Sequence, residues 1–356
     1  MNYGVEVSEY KGKTIGVYGG KFLPFHKGHL SCILKAQSMV DILFVVVGYD
    51  DDYDKSLCKG ASFKWVSNKV RERWISRELK DFPNIRVFSQ YERRSDDYMN
   101  DPSILISYAE LLEKVGGRID MVFSSEFTYE EYFAKYLPES KHVVLDYGRI
   151  DVFVSATDIR TNGIYEMWDF LPKAVREYYT KRVAICGIES AGKTHLIKML
   201  ARRFDTNSIA EYGRTYYDEL NNFSGVDEES DYPKIAIGHC HIMNEASKES
   251  NKVLLVDTDL VYTQYFYSRS FGQPSVLLDQ LISGREEKID TYIYIEPHNY
   301  HELDGTRRPI EEAERKVRNT FLKSIYAEYG IDLIIVDEPD RLKRYEKCVE
   351  IIKKVL

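Results

Sequence analysis

The run Gly187-Ile-Glu-Ser-Ala-Gly-Lys-Thr194 constrains the fold more than any other stretch of the chain. It reads G-x-x-x-x-G-K-[ST], follows the apolar run Val183–Cys186 and opens a helix-period stretch over Gly192–Phe204. Strand, glycine-rich loop and helix in that order build an anion cradle. The glycines let backbone N–H groups curl around a phosphate, and the helix N-terminus adds partial positive charge. Gly187, Ser190, Ala191 and Gly192 are expected to form that cradle; Lys193 would reach the β- and γ-phosphates of a nucleotide, and Thr194 would ligate Mg2+. Two near misses show how specific the pattern is. Gly12-Lys13-Thr14 has the same ending, but Val7 stands where the first glycine is needed. Ser190 is no nucleophile elbow, because Ile188 stands where G-x-S-x-G requires glycine.

A loop of this kind needs a parallel sheet behind it, and the rest of the chain supplies one. Strands are expected at Thr14–Tyr18, Ile42–Val47, Ile85–Phe88, Met121–Phe123 and Val143–Leu145. Helices are expected between them, over Lys27–Met39, Lys64–Lys80, Ile104–Val115 and Tyr129–Tyr136. The pattern lapses over Leu171–Lys181. It restarts with strands at Val183–Cys186, Val253–Val256, Tyr292–Ile295 and Leu333–Val336, and a helix over Glu311–Tyr329 with Val317, Phe321 and Ile325 on one face. The expectation is an α/β protein of two doubly wound parallel-sheet domains, residues 1–175 and 176–356. The acidic clusters Asp50–Asp54 and Asp227–Asp231 read as solvated loops.

Composition narrows the function. Lys+Arg is 49 against 57 Asp+Glu, a net charge of −8, which speaks against a protein that coats nucleic acid. No apolar run reaches the roughly 18 residues of a membrane span, and Met1–Lys13 lacks the apolar core of a signal peptide. Five scattered cysteines without C-x-x-C fit reduced thiols in the cytoplasm and no zinc cluster. Oligomeric state stays open, a homo-oligomer included.

Further groups gather around the two strand ends. In the second half, Asp257 ends the run Val253–Val256 and is expected to order Mg2+ or its water. Asp259 shares that site or caps the next helix. Glu211-Tyr212-Gly213-Arg214 follows the second strand, with Glu211 as a proton acceptor or ribose holder and Tyr212 and Arg214 on the substrate side. Arg307, in the polar loop Asp304–Arg308, is placed to stabilise charge on a transferring phosphoryl group. Glu211, Asp257 and Asp259 remain alternatives for the general base.

The first half carries a different signature. Gly19-Gly20-Lys21-Phe22-Leu23-Pro24-Phe25-His26-Lys27-Gly28-His29 leaves the first strand and enters a helix. It lacks G-x-G-x-x-G, so a dinucleotide oxidoreductase is not indicated. His26 and His29 sit at a helix N-terminus facing one side, suited to donate to a polyphosphate, and Gly28 lets a nucleotide approach the backbone. Gly20, Lys21 and Phe22 are candidate nucleotide contacts. Ser155-Ala-Thr157-Asp-Ile-Arg160, after the last strand, offers Ser155, Thr157 and Arg160 from the opposite side. Such a site lets a substrate phosphate attack the α-phosphorus of ATP with no protein nucleophile.

These segments carry a resemblance. Gly20–His29 with Ser155–Arg160 resembles the nicotinamide-mononucleotide adenylyltransferases of the H-x-G-H nucleotidyltransferase superfamily. Gly187–Thr194, Glu211–Arg214, Asp257–Asp259 and Asp304–Arg307 resemble ribosylnicotinamide kinase. Their order is similar to the NadR family, from about Lys13 to the end of the chain. Gly48–Asp51, Trp168–Pro172 and Asp231–Ala236 also sit where that family has similar segments. The resemblance implies phosphorylation of nicotinamide riboside with ATP, then adenylylation of nicotinamide mononucleotide to NAD, with ATP and Mg2+ as cofactors. Trp168 is then a candidate for stacking on the pyridinium ring. Some members begin with a helix-turn-helix repressor domain; with a first strand near Thr14 there is no room for one, and no DNA partner is expected. The competing readings are an NAD- and ATP-binding sensor with weak adenylyltransferase activity, and an adenylyltransferase–kinase acting on another nucleoside.

Overall fold

A computed structural model describes residues 10–219, 228–298 and 311–356. The chain divides into two units, Met1–Tyr178 and Tyr179–Leu356. The first runs β1 (Ile15–Gly20), α1 (Lys27–Gln37), β2 (Ile42–Tyr49), α2 (Asp51–Cys58), α3 (Asn68–Glu78), β3 (Ile85–Tyr91), α4 (Pro102–Lys114), β4 (Met121–Ser124), α5 (Glu130–Tyr136), β5 (Lys141–Val144), α6 (Ala156–Asn162) and α7 (Lys173–Tyr179). Its strands are all parallel, in the order β3-β2-β1-β4-β5. The chain winds outward from β1 to β3, then returns to the other side of β1. That places a topological switch point between β1 and β4, where α/β sheets open a crevice at the strands' carboxyl ends.

The second unit runs β6 (Lys181–Cys186), α8 (Lys193–Arg203), β7 (Ser208–Ile209), α9 (Tyr212–Glu219), α10 (Asp231–Ser247), β8 (Val253–Asp257), α11 (Leu260–Phe271), α12 (Val276–Ser283), β9 (Thr291–Ile295), α13 (Glu312–Glu328), β10 (Leu333–Val336) and α14 (Arg341–Val355). Its parallel order is β10-β9-β6-β8-β7. Alternate strand residues go to opposite faces. Ala184, Leu254, Val256 and Tyr294 join one buried cluster, and Val183, Leu255, Ile293 and Ile295 the other. Burial on both faces is why these strands read as unbroken apolar runs.

The structure departs from the sequence expectations in several places. Strand β1 continues through Gly19 and Gly20, and β2 through Gly48 and Tyr49, because the parallel ladder pairs Gly20 with Val47 and Tyr49 with Tyr91 beyond the apolar runs. Asp50–Asp54 is not a solvated loop. Asp50 caps α2 by accepting from the amides of Asp52 and Tyr53, at 3.2 and 3.1 Å, and Asp54 is fully buried. At the second acidic cluster, Asp231 is buried and accepts from the Tyr216 hydroxyl at 2.7 Å and the Glu228 amide at 3.1 Å; Asp227 lies outside the described residues. In α13 the buried residues are Leu322, Ile325 and Tyr326, whereas Val317 and Phe321 are exposed. Among the described residues no helix is long and apolar enough to cross a membrane.

Candidate active sites

In the first unit the β1 end, the α1 start and the α6 start line one cleft of about 870 Å³. His26 is the N-cap of α1, its Nδ1 accepting the His29 amide at 3.4 Å. The neutral ring therefore carries its proton on Nε2 and can donate. The two imidazoles stack with centroids 3.6 Å apart. Burial, then the charge of Arg149, pushes His26 down to about 3; burial likewise holds His29 well below the ordinary histidine range. Both are neutral at physiological pH. The Nδ1 of His29 is buried with no partner in the protein. Gly28 packs tightly here, since a Cβ would lie 3.1 Å from the His26 ring.

Ser155, Thr157 and Arg160 line the same cleft. Ser155 forms a capping box with Asp158: its hydroxyl accepts the Asp158 amide at 3.0 Å, and its own amide donates to the Asp158 carboxylate at 2.8 Å. Arg160 donates to the Leu23 carbonyl at 2.7 Å and to the Thr157 hydroxyl at 2.8 Å, tying the second motif to the first. Gly20 and Lys21 also line the cleft, and the Lys21 ammonium rests on Asp54 (3.0 Å) and Glu92 (2.6 Å). Phe22 does not reach it. Its ring is buried edge-on to Phe25 and His29, so the side chain supports the imidazole. Trp168 is likewise not on the cleft wall: it is buried, with Tyr165 stacked on it and the Arg176 guanidinium 5.7 Å from its ring. Sequence reasoning missed Asp54, Glu92 and Arg149. No local motif marks them; the one positional signal is that Glu92 follows the end of β3.

In the second unit the loop after β6 closes over its helix as the motif requires. Gly187 has φ +139°, and a Cβ there would meet the Ile295 carbonyl oxygen at 2.7 Å. Ser190 and Gly192 also have positive φ, +62° and +79°, and Gly192 is the N-cap of α8. Ala191 is buried, its carbonyl accepting from the buried Arg344 at 3.3 Å. Lys193 donates to the carbonyls of Gly187 and Ile188 at 2.8 and 2.9 Å. Burial lowers its pKa, opposed by Asp257, Glu211 and Glu189. The Thr194 hydroxyl donates to Asp257 at 2.6 Å, and the other carboxylate oxygen of Asp257 is buried without a partner.

Asp259 is the N-cap of α11, the second of the two roles expected for it. It is 1% exposed, caps α11 by accepting the Tyr262 amide at 2.9 Å, and accepts the Tyr326 hydroxyl at 2.8 Å. Burial raises its carboxyl to about 6. Its Oδ1 takes both of those bonds and its Oδ2 faces the Cys186 thiol at 3.8 Å, so Asp259 serves as the cap of α11. Glu211 is half-buried and accepts from Arg214 at 3.2 Å, while the Tyr212 ring lies against Gly238 of α10. Arg307 lies outside the described residues. Two cations not anticipated from sequence gather at the loop: Arg269 and Arg318 contact the buried carboxylate of Glu189 at 3.3 and 3.4 Å. They come from α11 and α13, and only the fold brings them to Glu189.

Residues 17–162 match the cytidylyltransferase-like family, and residues 182–344 match an AAA domain. The trifunctional NAD biosynthesis/regulator protein NadR of Escherichia coli (strain K12) is 32% identical over 356 residues, covering 99% of this chain and 86% of that protein. The protein of the same description from Salmonella typhimurium (strain LT2) is 32% identical over 97% of this chain and 84% of its own length. A crystal structure described as NadR protein in complex with NR superposes with a TM-score of 0.74 at 25% identity, covering 97% of this chain and 96% of that one. Two nucleotide-site geometries in this order, with that identity over nearly the whole length, place the chain in the NadR family.

Proposed function

We propose that the chain carries out two consecutive steps of NAD salvage in the cytoplasm. The second unit transfers the γ-phosphoryl group of ATP to the 5′-hydroxyl of nicotinamide riboside. The hydroxyl oxygen forms the new P–O bond, its proton passes to Glu211 or Asp257, and ADP leaves. The first unit joins the resulting mononucleotide to AMP. A mononucleotide phosphate oxygen attacks the α-phosphorus of a second ATP, the bond between the α-phosphorus and its bridging oxygen breaks, and pyrophosphate leaves.

The observation that carries this reading is the presence of two separate phosphate-binding geometries, each at the carboxyl end of its own parallel sheet. In the first, His26 and His29 are neutral donors, and Lys21 and Arg160 supply positive charge to the phosphates. In the second, the loop backbone, Lys193 and the arginines on Glu189 do the same. The Asp257 oxygen without a protein partner, next to Thr194, fits a divalent cation such as Mg2+. Among the described residues no three His, Cys, Asp or Glu side chains group as a metal site, so water and nucleotide phosphates would complete its shell. Bound there, the cation would neutralise phosphate charge.

The assignment of each reaction to its unit is tested by separating them. Lys193→Ala is expected to lower riboside phosphorylation by about 10²–10³-fold while leaving NAD formation from mononucleotide and ATP intact. His29→Ala is expected to do the reverse. Loss of both activities in either variant would contradict the assignment.

A further inference from the structure

Arg71 of α3 and Asp54 of α2 are charged side chains with no exposed surface, and nothing in the reaction above uses them. They pair at 2.7 Å. A buried ion pair is a poor source of stability, because desolvating two charges costs about what their attraction returns. The partners of this pair suggest another reason for it. The second arm of Arg71 donates to the backbone carbonyl of Lys21 at 2.7 Å, and the second oxygen of Asp54 accepts the Lys21 ammonium at 3.0 Å. One residue of the cleft wall is thus gripped at its main chain and at its tip by two groups that have nowhere else to turn. The other carboxylate on Lys21, Glu92, differs: its side chain is 39% exposed and it lines the cleft. With Arg71, Lys21, Asp54 and Glu92 together, charge is balanced before any ligand arrives. An incoming phosphate can replace Glu92 on the ammonium but cannot reach Asp54.

We propose that Asp54 and Arg71 are positioning residues of the adenylyl-transfer site, holding Lys21 where its ammonium exchanges Glu92 for a phosphate of the substrate nucleotide. This rests on Lys21 being a phosphate contact in that reaction. Aim, rather than charge alone, is the contribution, and misplacing a binding group by about 1 Å costs on the order of 10²-fold in rate.

The test is a double-mutant cycle in the full-length chain, with riboside phosphorylation measured in the same samples as the control for the other unit. Lys21→Ala is expected to lower kcat/KM for NAD formation from mononucleotide and ATP by about 10²-fold. Asp54→Asn keeps an acceptor for Arg71 but loses the charge, and Arg71→Lys keeps the charge but cannot reach both partners. Each is expected to lose at least about tenfold in the native background and nothing further in the Lys21→Ala background, with kinase rates unchanged. Losses of equal size in both backgrounds would mean that the pair acts through packing, and would overturn the inference while leaving Lys21's role intact. A full rate in Lys21→Ala would remove that role, and the inference with it. If Asp54→Asn fails to fold, a structure of the unaltered protein with mononucleotide decides. Lys21 on the phosphate with its Asp54 and Arg71 bonds kept supports the inference; Lys21 away from the phosphate overturns it.

Discussion

At the first turn of α1, burial decides the charge of a histidine, and this has a consequence for stability. His26 is held at about 3 in the folded chain against about 6.5 when unfolded. Between those values the unfolded state binds the extra proton, so stability falls as pH is lowered from 7 toward 4. At pH 5 this one group costs roughly 2 kcal/mol, and His29 acts in the same direction. All three tryptophans, Trp65, Trp74 and Trp168, lie in the first unit, so their fluorescence reports its unfolding alone. The urea midpoint should drop on acidification to pH 5, and His26→Gln should flatten that drop; an unchanged slope in the variant would contradict the argument. A second single-residue prediction concerns Gly187. With φ +139° and no room for a Cβ against the Ile295 carbonyl, Gly187→Ala should cost about 1–3 kcal/mol locally and abolish phosphorylation of the riboside while NAD formation from mononucleotide survives. Residue identity at these positions was legible in the sequence because each motif needs its glycine and its imidazoles at fixed spacing. Asp54 was not, because its partner Arg71 is seventeen positions away on another helix.

Elements were legible wherever burial was two-sided. β8 was visible as an apolar run because it is buried on both faces, whereas β10, an edge strand with Ile334 and Ile335 exposed, was visible from its aliphatic composition alone. Helix α2 was hidden because its three acidic residues look like a solvated loop, and only the cap made by Asp50 turns them into a favourable first turn. The buried face of α13 was misread because Val317 fits the period yet lies on the exposed side. The packing of α9 on α10 depends on one position that periodicity cannot show. A Cβ on Gly238 would stand 2.1 Å from the Tyr212 ring, so Gly238→Ala must displace that ring, which is next in sequence to Glu211. The expected outcome is a rise of about tenfold in KM for nicotinamide riboside with no effect on adenylyl transfer, read by steady-state kinetics of both reactions. An unchanged KM would remove α9 from the substrate site.

On the scale of the whole molecule, two parallel-sheet units each bring a glycine-containing turn from the first strand to the start of a helix, and each turn serves phosphate. That much is written in two short runs, Gly20–His29 and Gly187–Thr194. What is not written is the supporting charge: Arg149 beside the histidines, Glu92 on Lys21, and Arg269 and Arg318 on Glu189 are assembled by topology from distant segments. The buried side chains of Phe22, Trp168 and Asp259 have one cause, since an aromatic or acidic residue near a motif serves the core or a helix cap as readily as a ligand. The central claim is that both units work in sequence on one substrate. It is tested most directly by incubating the unaltered chain with nicotinamide riboside and MgATP and following products by chromatography. The account predicts mononucleotide first, then NAD with pyrophosphate and ADP. A reaction that consumes no riboside, or that stops at mononucleotide with ATP in excess, would contradict it.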